Sequence, residues 1–178
     1  MTKQEIIDQL REKHDSFIKY LQGMTAEEFV LHYQDKWTAG QLLEHIVICV
    51  KPLVQVFSMD RSMIKEKFGQ VDRPAHSYND LITMYIQKLK EGAKAPDRFV
   101  PGTVLPDQRA ELCETLSTQV KELCFRVEGF TEQELDSLCI PHPLFGILTL
   151  REMLYNAIQH VAHHKGKIKE YLNLASIR

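Results

Sequence analysis

A chain of 178 residues, 44% hydrophobic and 26% charged, has the size and balance of one domain built around a single core, residues 1–178. Its formal charge of −2, with no Lys/Arg cluster, argues against a dedicated nucleic-acid binder. No apolar run approaches the ~20 residues of a transmembrane helix: Ile46–Val50 is closed by Lys51 and Pro52, and the opening MTKQEIIDQLREKHD lacks the apolar stretch of a secretory signal. The expectation is a cytoplasmic protein with a small-molecule substrate, and no nucleic-acid or membrane partner.

Helix-start signals recur along the chain. In a capping box a Ser/Thr and an acid or amide three residues later satisfy each other's backbone amides. The pattern stands at Thr2–Glu5, Thr25–Glu28, Thr38–Gln41, Thr131–Glu134 and Thr149–Glu152, with a looser version at Ser77–Asp80. The first predicts a helix from about Lys3 to Gln22, with Ile6, Leu10, Phe17 and Leu21 on one stripe and Gly23 at its end. A short helix follows Thr25. A second long helix starts at Thr38, with Trp37 placed to staple onto its first turn. Pro52 lies within it and cannot donate to the carbonyl of Ile48, so a kink or interruption is expected.

Residues 69–76 read as a loop. Ser77 opens a helix to about Glu91, and the Pro- and Gly-rich stretch 92–106 reads as a connection packed down through Phe99 and Val104. A long helix is predicted over 107–128, with Leu112, Cys113, Leu116, Val120, Leu123 and Val127 as its seam. A short helix over 131–137, the irregular segment CIPHPLFGIL and a last helix over 149–173 complete the chain. No strand alternation is evident. Four long helices joined by crossovers predict an all-α four-helix bundle with short helices in the connections. The four cysteines, 49, 113, 124 and 139, form no C-x-x-C pair and read as small buried apolar residues.

Eight histidines are present, and the last helix places two of them together. At about 100° per residue, Met153, Ala157, His160, His164 and Ile168 share one side. His160 and His164 stand one turn apart, close enough for two imidazoles to converge on one ion. Buried imidazoles need partners. A metal supplies one to both rings, and a hydrogen-bonded structural pair is the alternative. His163 points off that seam and reads as a surface or second-row residue. His45, on the face of Leu42 and Cys49, is the best third ligand, although periodicity alone does not bring it to the pair. His14 reads as a hydrogen-bonded residue at the core edge. Asn156, one turn before His160, either hydrogen-bonds a ligand ring or faces solvent. Glu44 points about 100° from His45, which leaves no dedicated general base beside the ligands.

Two stretches carry a family resemblance. Trp37-Thr-Ala-Gly-Gln-Leu-Leu-Glu-His45 resembles the W-[ST]-x-x-[EQ]-[IL]-x-x-H helix opening of the DinB superfamily, the DinB/YfiT-like metalloenzymes. His142-Pro-Leu-Phe-Gly-Ile-Leu-Thr149, followed by His160-Val-Ala-His163-His164, resembles the H-P-x-F-G-x-L-[ST] … H-x-x-H-H pattern of one branch. The resemblance implies an up-down-down-up four-helix bundle and a divalent-metal site with His45, His160 and His164 as ligands. Many relatives carry a glutamine where this chain has Lys167. Zinc or nickel suits imidazole ligands, and three protein ligands leave a position open for water or substrate.

The resemblance further implies a metal-dependent enzyme. Relatives with assigned activities include transferases and isomerases that use a low-molecular-weight thiol, and the missing general base favours a thiol S-transferase over a hydrolase. The competing reading is a non-catalytic stress-response or binding module acting as a homodimer. In that reading the histidines bind metal structurally or not at all, and a structural site is sealed or recruits a fourth protein ligand such as His142.

Overall fold

The computed structural model describes residues 1–176; Ile177 and Arg178 lie outside the described residues. Four long helices form the bundle: α1 (Lys3–Gln22), α3 (Ala39–Phe57), α6 (Arg109–Glu128) and α8 (Leu150–Ser176). Between them stand α2 (Ala26–Phe29), α4 (Arg61–Phe68), α5 (Tyr78–Lys90) and α7 (Glu132–Ser137), with 3₁₀ turns at Asp97–Phe99 and Pro106–Gln108. All six predicted Ser/Thr caps form, each donor–acceptor pair closing reciprocally.

Helix directions follow from contacts at the helix ends. Lys3, at the start of α1, donates to the carbonyls of Glu128 and Phe130 at the end of α6, so these two run antiparallel. Arg151, at the start of α8, donates to the Met1 carbonyl, and Lys165 reaches Ser16, so α1 and α8 run parallel. Phe57 at the end of α3 stacks on Phe130, beyond the end of α6, so α3 and α6 run parallel. The order is up, down, down, up. α1 and α3 each pack against both α6 and α8. Ile6, Leu10, Phe17, Leu43, Leu116, Leu123 and Leu154 are fully buried at the centre.

Two expectations need correction and two are refined. The segment CIPHPLFGIL is a β-hairpin, β1 (Cys139–His142) paired antiparallel with β2 (Gly146–Thr149), Cys139 opposite Thr149 and His142 opposite Gly146. Its strands are too short and too Pro-rich for alternation to show, and Gly146 closes the turn with φ 71°. Within 69–76, Gln70 forms an isolated bridge with Leu138. The helix α3 also runs through Pro52 without interruption. Pro52 is exposed, and it lines a cavity together with Ile48, whose carbonyl it leaves without a helical donor. Finally, α3 is by length and composition apolar enough to cross a bilayer, with a mean hydropathy of 1.3. In the fold its Leu42, Leu43, Ile46, Val50, Leu53 and Phe57 are buried in the bundle core.

The opening of α3 must approach its neighbours closely. A Cβ on Gly40 would lie 2.8 Å from the Phe29 ring and 3.0 Å from Val104. Glycine there lets α2 and the 92–106 connection sit against the helix that carries His45.

Candidate metal centre

His45 leaves α3 on its second turn, and His160 and His164 leave α8 one turn apart. Because α3 and α8 pack antiparallel, the three rings meet. His45 Nε2 lies 3.1 Å from His160 Nε2, and His164 Nε2 lies 2.9 Å from it. Two imidazole nitrogens bound at 2.0–2.1 Å with angles of 90–110° stand about 2.9–3.4 Å apart. The spacing therefore suits one shared cation. Among the described residues these three are the group whose ligand atoms converge in this way.

Hydrogen-bond chemistry supports the same conclusion. His45 Nδ1 lies 2.7 Å from the carbonyl oxygen of Phe99. A carbonyl only accepts, so Nδ1 carries the proton and Nε2 presents a lone pair. His160 Nε2 can then donate to His45 or accept from His164, but a single nitrogen of a neutral ring does not do both. His164 Nδ1 is buried without a partner. The triangle cannot satisfy itself with protons alone, and a cation accepts all three lone pairs. Burial pushes His45, His160 and His164 below the ordinary histidine range, the last two further through neighbouring histidines, His45 and His163 among them. All three are neutral at pH 7, as ligation requires.

The 92–106 connection is what delivers the Phe99 carbonyl. Glu44 accepts from the Gly102 amide at 2.7 Å, and Gln41 donates to the Gly102 carbonyl at 3.1 Å. Glu44 is thus committed to the loop, as its direction along the helix requires. Such backbone support of a ligand ring has no sequence signature, because any residue at 99 supplies a carbonyl.

The centre lies on the wall of a cavity of about 680 Å³. Trp37, Tyr85, Phe99, Leu144 and Met153 give it an apolar lining, and among the described residues no Asp or Glu side chain lines it. The Trp37 ring is 5.0 Å from that of His45 and forms part of the cavity wall. Lys51, Lys94 and Arg98 are exposed at the rim, with no ion pair to any described residue. Cys49 sits 3.8 Å from His45 Nε2, and burial pushes its thiol up to about 12, which keeps it protonated. Like Cys113, Cys124 and Cys139, it is unpaired.

The remaining histidines divide. His163 lines the cavity, its ring 5.4 Å from Tyr85 and 5.2 Å from His164, so it is a wall residue and not a purely surface one. His14 is buried in α1. Its Nδ1 lies 2.8 Å from the Leu10 carbonyl, and its Nε2 has no partner. Periodicity marks His14 as buried, but only the packing shows that it lines the cavity. Asn156 does not meet a ligand ring; its amide lies 3.3 Å from His142 Nε2. Lys167, where many relatives have glutamine, pairs with Glu170 on the surface.

The family profile described as the DinB superfamily matches residues 9–168. The chain belongs to the DinB superfamily. It is also similar to the solved structure of YfiT from Bacillus subtilis, described as a probable metal-dependent hydrolase with an unusual four-helix bundle topology. The two share 19% identity, with a TM-score of 0.63, over 98% of this chain and 87% of YfiT. At that identity the likeness establishes the four-helix-bundle fold alone. No curated protein matches the chain.

Proposed function

We propose that this DinB-superfamily protein is an enzyme in which His45, His160 and His164 hold a divalent cation, zinc or nickel, that activates a small nucleophile. The observation that carries the reading is the convergence of three neutral imidazole nitrogens on the wall of a large apolar cavity. A cation held by three protein ligands keeps an open position and lowers the pKa of a thiol or water placed there.

A low-molecular-weight thiol is the first nucleophile. A thiol needs no separate base when a cation favours its ionised form, and among the described residues no carboxylate lines the cavity. Cavities of about 300–1,000 Å³ take drug-sized ligands, so about 680 Å³ admits both a thiol and an apolar electrophile. The unpaired Lys51, Lys94 and Arg98 favour substrates that carry a negative group at the rim. The chain's own residues would bind the apolar body through Trp37, Phe99 and Leu144 and keep water from it.

Hydrolysis is the second reading. His14, a buried neutral histidine whose Nε2 has no hydrogen-bond partner among the described residues, belongs to the lining of the same cavity. YfiT, described as a probable metal-dependent hydrolase, adds support by analogy.

Metal analysis of the purified protein beside His45→Ala and His160→Ala tests the centre; full metal retention by both variants would sink it. Turnover of alkylating electrophiles with added thiol, against esters and amides without it, then separates transferase from hydrolase.

A further inference from the structure

Buried tyrosines ordinarily spend their hydroxyl on a hydrogen bond. Tyr155 does so, donating to the Met1 carbonyl at 3.3 Å. Tyr85 on α5 does not. The residue is 6% exposed, yet its hydroxyl has no hydrogen-bond partner among the described residues. Nor is that oxygen sealed away. The unpartnered polar atoms closed off from solvent are His14 Nε2, Gln119 Oε1, Asn156 Oδ1 and His164 Nδ1, and the Tyr85 oxygen is not one of them. Tyr85 lines the cavity of about 680 Å³, so its oxygen keeps both hydrogen-bonding capacity and accessible surface there.

Its neighbours give the direction. The Tyr85 ring stands 6.4 Å from that of His160 and 5.4 Å from that of His163, both on α8. The phenol is pushed above its ordinary range by burial first and then by the Cys49 thiol. One ionisable group shifts another only at close range, so the hydroxyl lies towards Cys49 on α3. Cys49 lines the same cavity, and its Sγ is 3.8 Å from His45 Nε2. The hydroxyl therefore stands at the end of the cavity that holds the histidine cluster. A phenol shifted upwards keeps its proton at pH 7 and is available as a donor. In an apolar lining such a donor counts most towards an acceptor that has left its water behind.

We infer that the Tyr85 hydroxyl is a substrate-binding group, donating a hydrogen bond to a carbonyl oxygen of a ligand held in the cavity beside His45, His160 and His164. The ligand class is then an apolar body with a carbonyl at the end near the histidines. The apolar walls take the body, and among the described residues no carboxylate lines the cavity to repel the oxygen. The catalytic meaning rests on the function proposed above, in which the carbonyl-bearing ligand is the electrophile; the binding itself requires no metal.

Acetophenone is a suitable probe, and ethylbenzene, with a methylene in place of the carbonyl, is its control. Each is titrated by NMR into wild type and Tyr85→Phe, both zinc-loaded and chelator-treated. The variant removes one oxygen and keeps the ring that meets His160 and His163. A neutral hydrogen bond predicts that Tyr85→Phe binds acetophenone about 3–10-fold more weakly and ethylbenzene no more weakly than wild type does. Acetophenone labelled with ¹³C at the carbonyl reads the bond itself: its resonance should move downfield on binding wild type and less on binding Tyr85→Phe. Equal weakening of both ligands would mark a packing role and overturn the assignment. Unchanged acetophenone affinity, no binding by wild type, or the same ¹³C shift in both proteins would overturn it too. The dependence on Tyr85 should hold in the chelator-treated protein, whereas a wild type that takes up no zinc overturns the metal reading alone.

Discussion

Two polar clusters lie along α8, and they are built on opposite principles. At the first turn, the fully buried Glu152 is saturated with donors. Arg73 grips both its oxygens at 2.7 and 2.8 Å, and the amides of His76 and Thr149 each donate at 2.7 Å. Burial alone would raise its pKa, but the Arg73 bonds and the two amides overcome that and hold the carboxyl below its ordinary value. Two to three turns later, His160 and His164 converge with His45 and leave lone pairs and a buried Nδ1 unsatisfied. A saturated cluster ties elements together; here it fastens the 69–77 segment to the bundle. An unsaturated one is completed by a ligand.

Exchanging the two roles by mutation is the sharpest test of this contrast. Glu152→Ala leaves the partly exposed Arg73 and two amides without their acceptor, at a cost of about 2–3 kcal/mol. Urea denaturation should show that loss while metal content per folded molecule stays intact. His160→Ala should do the reverse. Its denaturation midpoint should move little, while metal affinity falls by about 3–4 kcal/mol, a quarter of the ~10–16 kcal/mol of four-ligand zinc sites. Competition with a chromophoric chelator measures it. A His160→Ala protein that unfolds as readily as Glu152→Ala would erase the distinction.

Next in size is the acid response of His14. Burial, working against the Leu10 hydrogen bond, pushes its pKa to about 4 in the fold, against about 6.5 in the unfolded chain. The unfolded chain therefore binds the proton more readily. The stabilisation is complete above pH 6.5 and is lost as pH falls from 6.5 towards 4, by about 3 kcal/mol in all. His14→Gln should flatten the stability–pH curve of the metal-free protein by that amount, and an unchanged slope would show that His14 is not buried neutral. The smallest effect belongs to the rim. Lys51→Gln and Arg98→Gln should each weaken binding of a small anionic probe such as phenylacetate to the cavity about two- to fivefold at low salt and hardly at all at high salt, as expected of exposed charges.

Much of the scaffold is legible locally. Thr2, Thr25, Thr38, Ser77, Thr131 and Thr149 announce helix starts because a capping box is completed within four residues. The stripe Ile6, Leu10, Phe17, Leu21 is buried as its spacing predicts. The hairpin escapes because two four-residue strands, one holding Pro141, carry too little alternation. The continuity of α3 through Pro52 escapes for another reason. Whether a proline breaks a helix depends on packing on either side, which local sequence does not record.

The site divides along the same line. The sequence by itself determined that His160 and His164 share a helix face, because 3.6 residues per turn leaves no alternative. Family likeness added His45. Only tertiary structure decided that the three nitrogens meet, because that depends on α3 and α8 packing antiparallel at one height. It alone decided that a backbone carbonyl from Phe99 sets the tautomer of His45, that His14 from α1 lines the same cavity, and that the hairpin's His142 meets the amide of Asn156. Each of these joins residues far apart in the chain through the geometry of packed helices, and no periodicity within one helix encodes it.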